Sequence, residues 1–213
     1  MKKRTAALLA TLVILITGSA QKAAFGVCAG ATLSNFKIEY DGENESLDSK
    51  AGLTVGAIAN IAAGKNFVVQ PGIFWTQKGT KDEESEGGST YKISLTNNYV
   101  EIPVNFLYSS GGFFAGAGPS IAFAVSGKWK YELDGEKETE SANFGNSDDD
   151  DMKGLDLGAN ILAGYSSPGG FLVMLNFNQG LNNLVPGEAD GAKLKSHYFG
   201  IRLGYMLKGK KDK

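Results

Sequence analysis

Glu101, Asp156 and Arg202 are the charged residues that lie well inside stretches otherwise free of charge. Two carboxylates and a guanidinium held together could form ion pairs, relay a proton or gate the passage of an ion. Burying a charge without a partner is very costly, so we expect these side chains to be paired. A structural plug of salt bridges and asparagines is the first interpretation, and a proton or ion path is the alternative.

Hydrolytic chemistry would need a nucleophile and a base, and His197 is the single histidine of the chain. The Gly-x-Ser-x-Gly pattern that presents a nucleophilic serine on a tight turn is absent from the sequence. Serine and aspartate are spread through the polar stretches, so the sequence does not single out a triad. We therefore expect no enzymatic activity.

Four consecutive aspartates, Asp148, Asp149, Asp150 and Asp151, stand in a long polar stretch. A divalent cation needs several oxygen ligands at defined spacing, and consecutive aspartates do not reproduce the spaced calcium-loop pattern. A solvated loop whose like charges repel is the simpler interpretation. Weak binding of Ca²⁺ or Mg²⁺ is the alternative. We expect neither a built metal site nor a cofactor.

The segments that carry these residues alternate with a period of two. Between residues 100 and 108, and again within 155–165 and 198–207, apolar side chains occupy every second position. Such alternation predicts β-strands with one apolar face, and the 29 glycines argue against helices. We predict strands over about residues 25–37, 51–62, 66–78, 93–108, 113–126, 154–165, 171–182 and 196–207.

The predicted connections alternate in length. Residues 63–65, 109–112 and 166–170 are short and rich in turn-forming residues, whereas 38–50, 79–92, 127–153 and 183–195 are long and polar. With both chain ends on the short side, this pattern predicts an all-β fold, an eight-stranded antiparallel up-and-down transmembrane barrel. Pro71, Pro103 and Pro119 would each remove a ladder donor, so we expect bulges or bends there.

Charge placement predicts which side of this barrel faces water. A soluble barrel such as a lipocalin would expose many Lys, Glu and Thr on one strand face. Here the less apolar face carries mainly Gly, Ser, Asn and Ala, which suit a narrow lumen, so the apolar face must point to lipid.

Aromatic residues support the same orientation. On the apolar face, beside a short turn or a chain end, we expect a periplasmic girdle, since aromatic rings favour the headgroup level. Its members are Phe25, Phe67, Tyr108, Phe113, Tyr165, Phe171 and Tyr205. Candidates for an outer girdle at the opposite rim are Trp75, Tyr91, Tyr99, Trp129 and Tyr131.

The N-terminus has the pattern of an export signal. Basic residues at 2–4 precede an apolar core at 6–16 and small residues at 18–20. We predict a cleavable signal peptide over residues 1–20 and a mature barrel domain over 21–213, with an N-terminal anchor helix as the alternative. The single cysteine, Cys28, lacks a lipoprotein box, so we expect it to pack as a small residue within a strand.

Three segments resemble one family. They are Tyr99-Val100-Glu101-Ile102-Pro103-Val104-Asn105-Phe106-Leu107-Tyr108, Gly112-Phe113-Phe114-Ala115-Gly116-Ala117-Gly118-Pro119, and Gly26-Val27-Cys28-Ala29-Gly30-Ala31-Thr32-Leu33-Ser34-Asn35-Phe36. Together they resemble the PorT-like outer-membrane β-barrel family, common in Bacteroidota, with Tyr99, Glu101, Ile102 and Pro103 as the most specific part. The resemblance implies a small barrel in the outer membrane of a Gram-negative bacterium. It does not fix a role, although the best known member belongs to a protein-secretion apparatus.

We therefore expect a monomeric, non-enzymatic outer-membrane barrel with a structural or interaction role and four acidic external loops. Its expected partners are outer-membrane lipid and lipopolysaccharide, with envelope proteins as a further candidate, and a net charge of -2 gives no reason to expect nucleic acid. The alternatives are a subunit of an envelope protein-secretion complex, a soluble lipocalin-like ligand-binding barrel, and an outer-membrane lipid-modifying enzyme using His197. An open pore is disfavoured because eight strands leave little lumen.

Overall fold

The computed structural model describes residues 23–40, 43–86, 89–187 and 191–207, and the predicted signal peptide lies outside them. The strands are β1 (Ala23–Tyr40), β2 (Glu43–Ser46), β3 (Asp48–Ala62), β4 (Phe67–Glu86), β5 (Ser89–Ser110), β6 (Phe113–Leu133), β7 (Glu136–Ser141), β8 (Leu155–Ser166), β9 (Phe171–Gly180) and β10 (Lys193–Met206). Over the described ranges, no helix is long and apolar enough to cross a membrane.

Eight of these strands form a closed antiparallel ring, because β1, β3, β4, β5, β6, β8, β9 and β10 pair in that order and β10 pairs back with β1. The predicted up-and-down barrel is confirmed. Successive partners of Ala23 around the ring are Ile61, Val69, Phe106, Ala117, Ile161, Phe177, Phe199 and Leu33. The path returns to β1 ten residues further on. This stagger tilts the strands around an interior that side chains just fill.

Side chains alternate between the interior and the exterior as the sequence predicts. On β8, Asp156 and Asn160 are buried, whereas their neighbours along the strand are exposed. The exposed side is apolar: Phe106, Ile161 and Leu203 each keep 59–60% of their surface accessible. Such a surface is costly in water and suited to lipid.

Three barrel strands extend well beyond the predicted ends. β4 continues to Glu86, β5 begins at Ser89 and β6 continues to Leu133, so the predicted loop over residues 79–92 is wrong and the loop over 127–153 begins too early. The extensions, with β7 added at the edge, form a four-stranded sheet that protrudes from the barrel. Asp134 and Gly135, with φ of 47° and 95°, make the two-residue turn between β6 and β7.

The three strand prolines do not produce the expected bulges. Pro71 lies opposite Val104, and the ladder resumes three residues further on in the same register. The register is also unchanged across Pro103, and the pairing of Pro119 with β8 is continuous. The prolines therefore interrupt hydrogen bonds locally without inserting a residue.

The register shifts lie elsewhere in the barrel. One falls between Ser49 and Thr54 in the pairing of β3 with β4. The other falls between Asn98 and Tyr99, where Val125 is the extra residue on β6. Both shifts lie on the long-loop side of the prolines, close to where the ring gives way to the protruding sheet.

Two apolar clusters fill the interior. The first lies towards the short turns and contains Cys28, Ile58, Phe74, Leu107, Phe114, Leu162, Leu172, Met174 and Met206. The second lies towards the long loops and contains Phe36, Leu95, Met152 and Leu184. Met152 and Leu184 belong to connections that fold back over the mouth of the barrel. Cys28 packs as a small buried residue, as expected.

Candidate functional site

A layer of buried polar and charged side chains lies between the two apolar clusters. Glu101, Asp156 and Arg202, the charged residues expected in the lumen, are there with only 1–2% of their surface accessible. A fourth buried charge, Lys78 on β4, was not expected in the lumen. The prediction ended the strand at this residue, whereas β4 continues past it with Phe74, Thr76 and Thr80 also buried.

Lys78 is the cation that pairs with both carboxylates. Its Nζ lies 2.8 Å from Asp156 Oδ2 and 3.9 Å from Glu101 Oε2. Arg202 pairs with neither acid directly: its Nη2 donates to the Tyr198 hydroxyl at 3.1 Å, and that hydroxyl donates to Glu101 Oε1 at 2.8 Å. The expected direct pairing of the original three residues is therefore corrected, since Arg202 lies nearer the short turns and Tyr198 spans the gap.

Aromatic rings complete the surroundings of both cations. Lys78 Nζ lies 5.1 Å and 5.3 Å from the ring centroids of Tyr99 and Tyr198. The guanidinium of Arg202 lies 4.0 Å from the centroid of Phe74. Cation–π contacts of this kind are strongest where water is excluded. With Glu101 and Asp156 opposite, the layer joins two cations to two anions.

Amide side chains continue the polar layer towards the short turns. Asn160 Nδ2 donates to Asn105 Oδ1 at 2.8 Å, and Asn176 Nδ2 donates to Asn160 Oδ1 at 3.4 Å. Asn178 donates to the hydroxyl of Ser120 at 2.6 Å. The interior thus contains a chain of three amides and a separate Asn178–Ser120 pair beside the charged groups.

The residues of the sequence motif divide between the two sides of β5. Glu101 and Pro103 are buried, and Ile102 is exposed on the outer face. Tyr99 is 0% exposed, and its hydroxyl contacts Met152 Sδ at 3.7 Å. Its prediction as an outer-girdle residue is wrong, because it has the same parity along β5 as Glu101 and therefore faces the lumen.

All seven aromatic residues of the predicted girdle are exposed on the outer face near the short-turn end. Six form contacting pairs, with ring centroids 5.7 Å apart for Phe67–Tyr108, 4.8 Å for Phe113–Tyr165 and 5.5 Å for Phe171–Tyr205. Each pair joins two neighbouring strands of the ring. The structure therefore brings the predicted residues into one aromatic belt.

The protruding sheet has two faces of different chemistry. Its inner face, which continues the lumen side, consists of the cross-strand rows Thr80–Leu95–Trp129–Glu140, Asp82–Ile93–Tyr131–Glu138 and Glu84–Tyr91–Leu133–Glu136. Apolar and aromatic side chains occupy the middle of each row, and acidic side chains occupy every edge position except that of Thr80. The pKa of Tyr131 is raised by burial and then by the nearby Glu140, Tyr91, Asp151 and Glu138.

The outer face of the same sheet is rich in lysine. Its rows are Gly79–Thr96–Lys128–Ser141, Lys81–Ser94–Lys130–Thr139 and Glu83–Lys92–Glu132–Lys137. In the last row, Lys92 pairs with Glu83 at 2.9 Å and Lys137 pairs with Glu132 at 3.5 Å. The acidic residues of these rows therefore lie on sheet faces, and the prediction of acidic loops over residues 79–92 and 127–141 is wrong.

The aspartate run serves the local turns. Asp150 accepts hydrogen bonds from the amide and hydroxyl of Ser147, and these bonds lower the pKa of the Asp150 carboxyl. Asp151 Oδ2 accepts the amide of Asn143 at 2.7 Å. Within the described parts of the chain, no three His, Cys, Asp or Glu side chains gather as metal ligands would.

His197 lies on β10 between Asn35 of β1 and Gln179 of β9. Its ring centroid is 6.4 Å from that of Phe177. Its Nδ1 has no hydrogen-bond partner among the described residues, whereas a catalytic base is normally oriented by a third group. The described surroundings of His197 do not form a triad.

Comparisons with known proteins found similar solved structures and one matching family. Ail of Yersinia pestis is 12% identical, with 86% of this chain and 99% of that chain covered and a TM-score of 0.41. For Neisserial surface protein A the values are 10%, 87%, 99% and 0.43, and for the outer membrane protease OmpT of Escherichia coli they are 9%, 87%, 96% and 0.38. No curated protein matches the sequence. The sequence pattern of the outer membrane protein beta-barrel domain matches residues 19–185, and the chain belongs to that family.

Proposed function

We propose that the protein is a non-enzymatic outer-membrane barrel whose membrane part is a closed anchor and whose protruding sheet is an interaction surface. The closed lumen is the main support. Apolar clusters occupy both ends of the interior, and a paired charge layer lies between them. An interior filled in this way is suited to holding a fold together and poorly suited to the diffusion of solutes.

The proposed membrane orientation puts the aromatic belt at the periplasmic interface and the protruding sheet outside the cell. On β5, the outward apolar residues run from Tyr108 to Val100. These nine residues match the roughly 9–11 that a tilted strand needs to cross the hydrocarbon core. Short turns then face the periplasm and the long connections face outward, as in bacterial outer-membrane barrels.

The inner face of the protruding sheet is the proposed protein-binding surface. Its three rows carry five acidic side chains and no lysine or arginine. Tyr91 and Leu133 are exposed between the acidic edges. The strip of aromatic and apolar side chains lies between two acidic edges of the sheet. It complements a positively charged protein segment, whose cations would stack on the rings and pair with the carboxylates.

Conductance of the purified protein in planar bilayers tests the closed anchor. We expect no steady channels at any voltage that the bilayer tolerates, because side chains occlude the lumen at both ends. A reproducible unit conductance from the folded protein would contradict the proposal. In parallel, His197→Ala should leave the outer-membrane lipid composition unchanged, and accumulation or loss of a lipid species in that variant would instead favour an enzyme.

Calorimetric titration with decalysine tests the interaction surface. We expect decalysine to bind the wild-type protein and to bind the triple variant Glu136→Gln, Glu138→Gln, Glu140→Gln at least tenfold more weakly. The control variant Glu43→Gln, Glu45→Gln changes two acidic residues of β2, outside the protruding sheet, and should bind like the wild type. Equal affinity of the triple variant and the wild type would refute the assignment of this face.

The finer PorT-like assignment is also a proposal. The motif residues Tyr99, Glu101 and Pro103 line the lumen, so they support the barrel itself. They give no support of their own to membership of a secretion complex. A monomer in mild detergent is the expected state, and stable co-purification of envelope proteins at fixed ratio would favour the secretion subunit instead.

A further inference from the structure

Four lysines gather where the outer face of the protruding sheet meets the barrel. Lys81 and Lys130 flank Ser94 in one cross-strand row, and Lys128 lies one row nearer the barrel. Lys50 joins them from β3, because its aliphatic side chain crosses directly over Gly79. A β-carbon added to Gly79 would lie 2.9 Å from Lys50 Cδ. We call these four residues the lysine patch.

The patch is crowded with like charge. Lys81 and Lys130 stand two strands apart, which places their Cα atoms about 10 Å from each other. Burial, and then the positive charges of Lys130 and Lys81, hold the pKa of Lys50 below its usual value. Asp48 is the acidic residue opposite Lys81 across the strand pair, and no ion pair joins them in the described residues. Three or more cations brought this close favour a shared anion.

The neighbouring lysines differ from the patch because they are already neutralised. Lys92 and Lys137 lie one row further out on the same face and form ion pairs with Glu83 and Glu132. The balance of charge therefore changes along one sheet face, from paired lysines at its outer end to a patch beside the barrel whose lysines form no ion pair with any described residue. This contrast singles out the patch and also supplies matched control residues.

The height of the patch identifies the anion. An apolar row of Trp75, Val100 and Phe123 is followed by the hydrogen-bonded row Gln77–Asn98–Ser126, with bonds of 3.2 Å and 2.9 Å. The patch begins in the next row. The first row of the patch lies four residues beyond Trp75 along β4, a rise of about 13 Å that the strand tilt reduces to about 10 Å along the membrane normal. Lysine side chains at this height extend back along the outer face towards the hydrocarbon edge, which brings their ammonium groups to the level of the lipid phosphates.

We propose that the lysine patch binds the phosphate groups of outer-leaflet glycolipid, the lipid A of lipopolysaccharide. Acyl chains would lie along the apolar row below, and one phosphate would be shared by Lys81, Lys128 and Lys130 above Ser94 and Thr96. The inference rests on the proposed membrane placement and concerns the face of the sheet opposite the protein-binding surface. It adds a specific lipid to an anchor that otherwise needs only a hydrocarbon phase.

Native mass spectrometry of the folded protein in neutral detergent provides the test. The ligands are bisphosphorylated lipid A, its dephosphorylated form and inorganic phosphate, each titrated alone. The patch variant combines Lys81→Gln, Lys128→Gln and Lys130→Gln. The control combines Lys65→Gln, Lys92→Gln and Lys137→Gln, which removes the same charge from a turn at the other end and from the paired row. Faster migration before boiling on SDS gels verifies that each variant is folded.

We expect the wild type and the control to bind lipid A equally, and the patch variant to bind it at least tenfold more weakly. The wild-type affinity should fall as salt is raised, because exposed charges are screened. Equal binding by the patch variant, or equal binding of dephosphorylated lipid A, would overturn the proposal. Equally tight binding of inorganic phosphate would show a free-anion site instead.

Two further outcomes keep the inference separate from the proposed function. If the triple variant does not fold, Lys130→Gln alone should weaken lipid A binding severalfold, and unchanged affinity in that variant would again overturn the lipid site. A wild-type protein without the migration shift would refute the membrane placement, and the lipid site with it. A normal shift with no lipid A binding would refute the lipid site alone.

Discussion

Lys78 Nζ lies 2.8 Å from Asp156 Oδ2, although the two residues are 78 positions apart in the chain. The contact crosses the lumen between β4 and β8, which are not neighbours in the ring. Ser196 on β10 donates to the same carboxylate oxygen. One buried ion pair thus ties three separate walls of the barrel together, which backbone pairing between adjacent strands cannot do.

Removing the cation from this pair should be strongly destabilising. Lys78→Met would leave Glu101 and Asp156 buried without their partner, and breaking a buried pair in this way costs about 3–5 kcal/mol. Urea unfolding in lipid vesicles, followed by tryptophan fluorescence, measures the loss. The double variant Lys78→Met, Asp156→Asn removes one cation and one anion and should recover most of it, because Glu101 and Arg202 then balance each other through Tyr198. A single variant as stable as the wild type would show that the pair does not hold the walls together.

The Tyr198 hydroxyl is the link between Arg202 and Glu101, so Tyr198→Phe should also destabilise the barrel. The change leaves the ring in place and removes one donor and one acceptor from a buried network, at a cost of about 1–3 kcal/mol. The same unfolding experiment checks it. Tyr165→Phe on the outer face is the control and should stay within about 0.5 kcal/mol of the wild type. Equal effects of the two variants would contradict the proposed link.

The two tryptophans test which face of the barrel meets lipid. Trp75 is exposed on the outer face, whereas Trp129 lies on the inner face of the protruding sheet and packs against the second apolar cluster. Lipids brominated on their acyl chains should therefore quench Trp75 strongly and Trp129 weakly, each measured in the variant that changes the other tryptophan to Phe. Quenching of Trp129 alone would show that the outer face does not contact lipid, and it would favour the soluble lipocalin-like alternative.

Acid should release the turn that Asp150 holds. Its pKa is lower in the folded protein than in the unfolded chain, because the carboxylate accepts the Ser147 amide and hydroxyl. The turn is therefore stabilised above the ordinary aspartate pKa, and the stabilisation is lost as the pH falls through the lowered value. The Ser147 amide shift in NMR spectra should titrate with a midpoint below that of a free aspartate. Asp150→Asn should abolish the titration, and a shift that persists in this variant would assign it to another group.

The sequence predicts the barrel well because each spanning strand has one apolar face and one face of small or polar residues. It predicts the protruding sheet poorly, because both faces of that sheet carry charge. The sequence does not identify Lys78 as a lumen residue, because polar residues follow it and the predicted strand therefore ends at residue 78, whereas β4 continues to Glu86. The Asp134-Gly135 pair was a usable signal, since this dipeptide is typical of two-residue hairpins.

Other parts of the site were beyond reach from the sequence. Alternation places Arg202 in the lumen, but the stagger of the ring decides that Tyr198 connects it to Glu101. The same alternation, applied consistently along β5, would have placed Tyr99 inside. The lysine patch depends on register across four strands, which the sequence alone does not specify.

The extra residue Val125 acts as a parity switch for the sheet beyond it. Below it, even-numbered positions of β6 face the lumen, and above it odd-numbered positions do, which is why Trp129 turns inward and Lys128 outward. Without the bulge, regular alternation through Val125 would place Lys128 inside and Trp129 outside, whereas deletion of Val125 would leave a regular ladder with both side chains where they are. A bulge at one position of β6 therefore decides which side of the protruding sheet carries the positive charge, independently of the strands that hold the protein in the membrane.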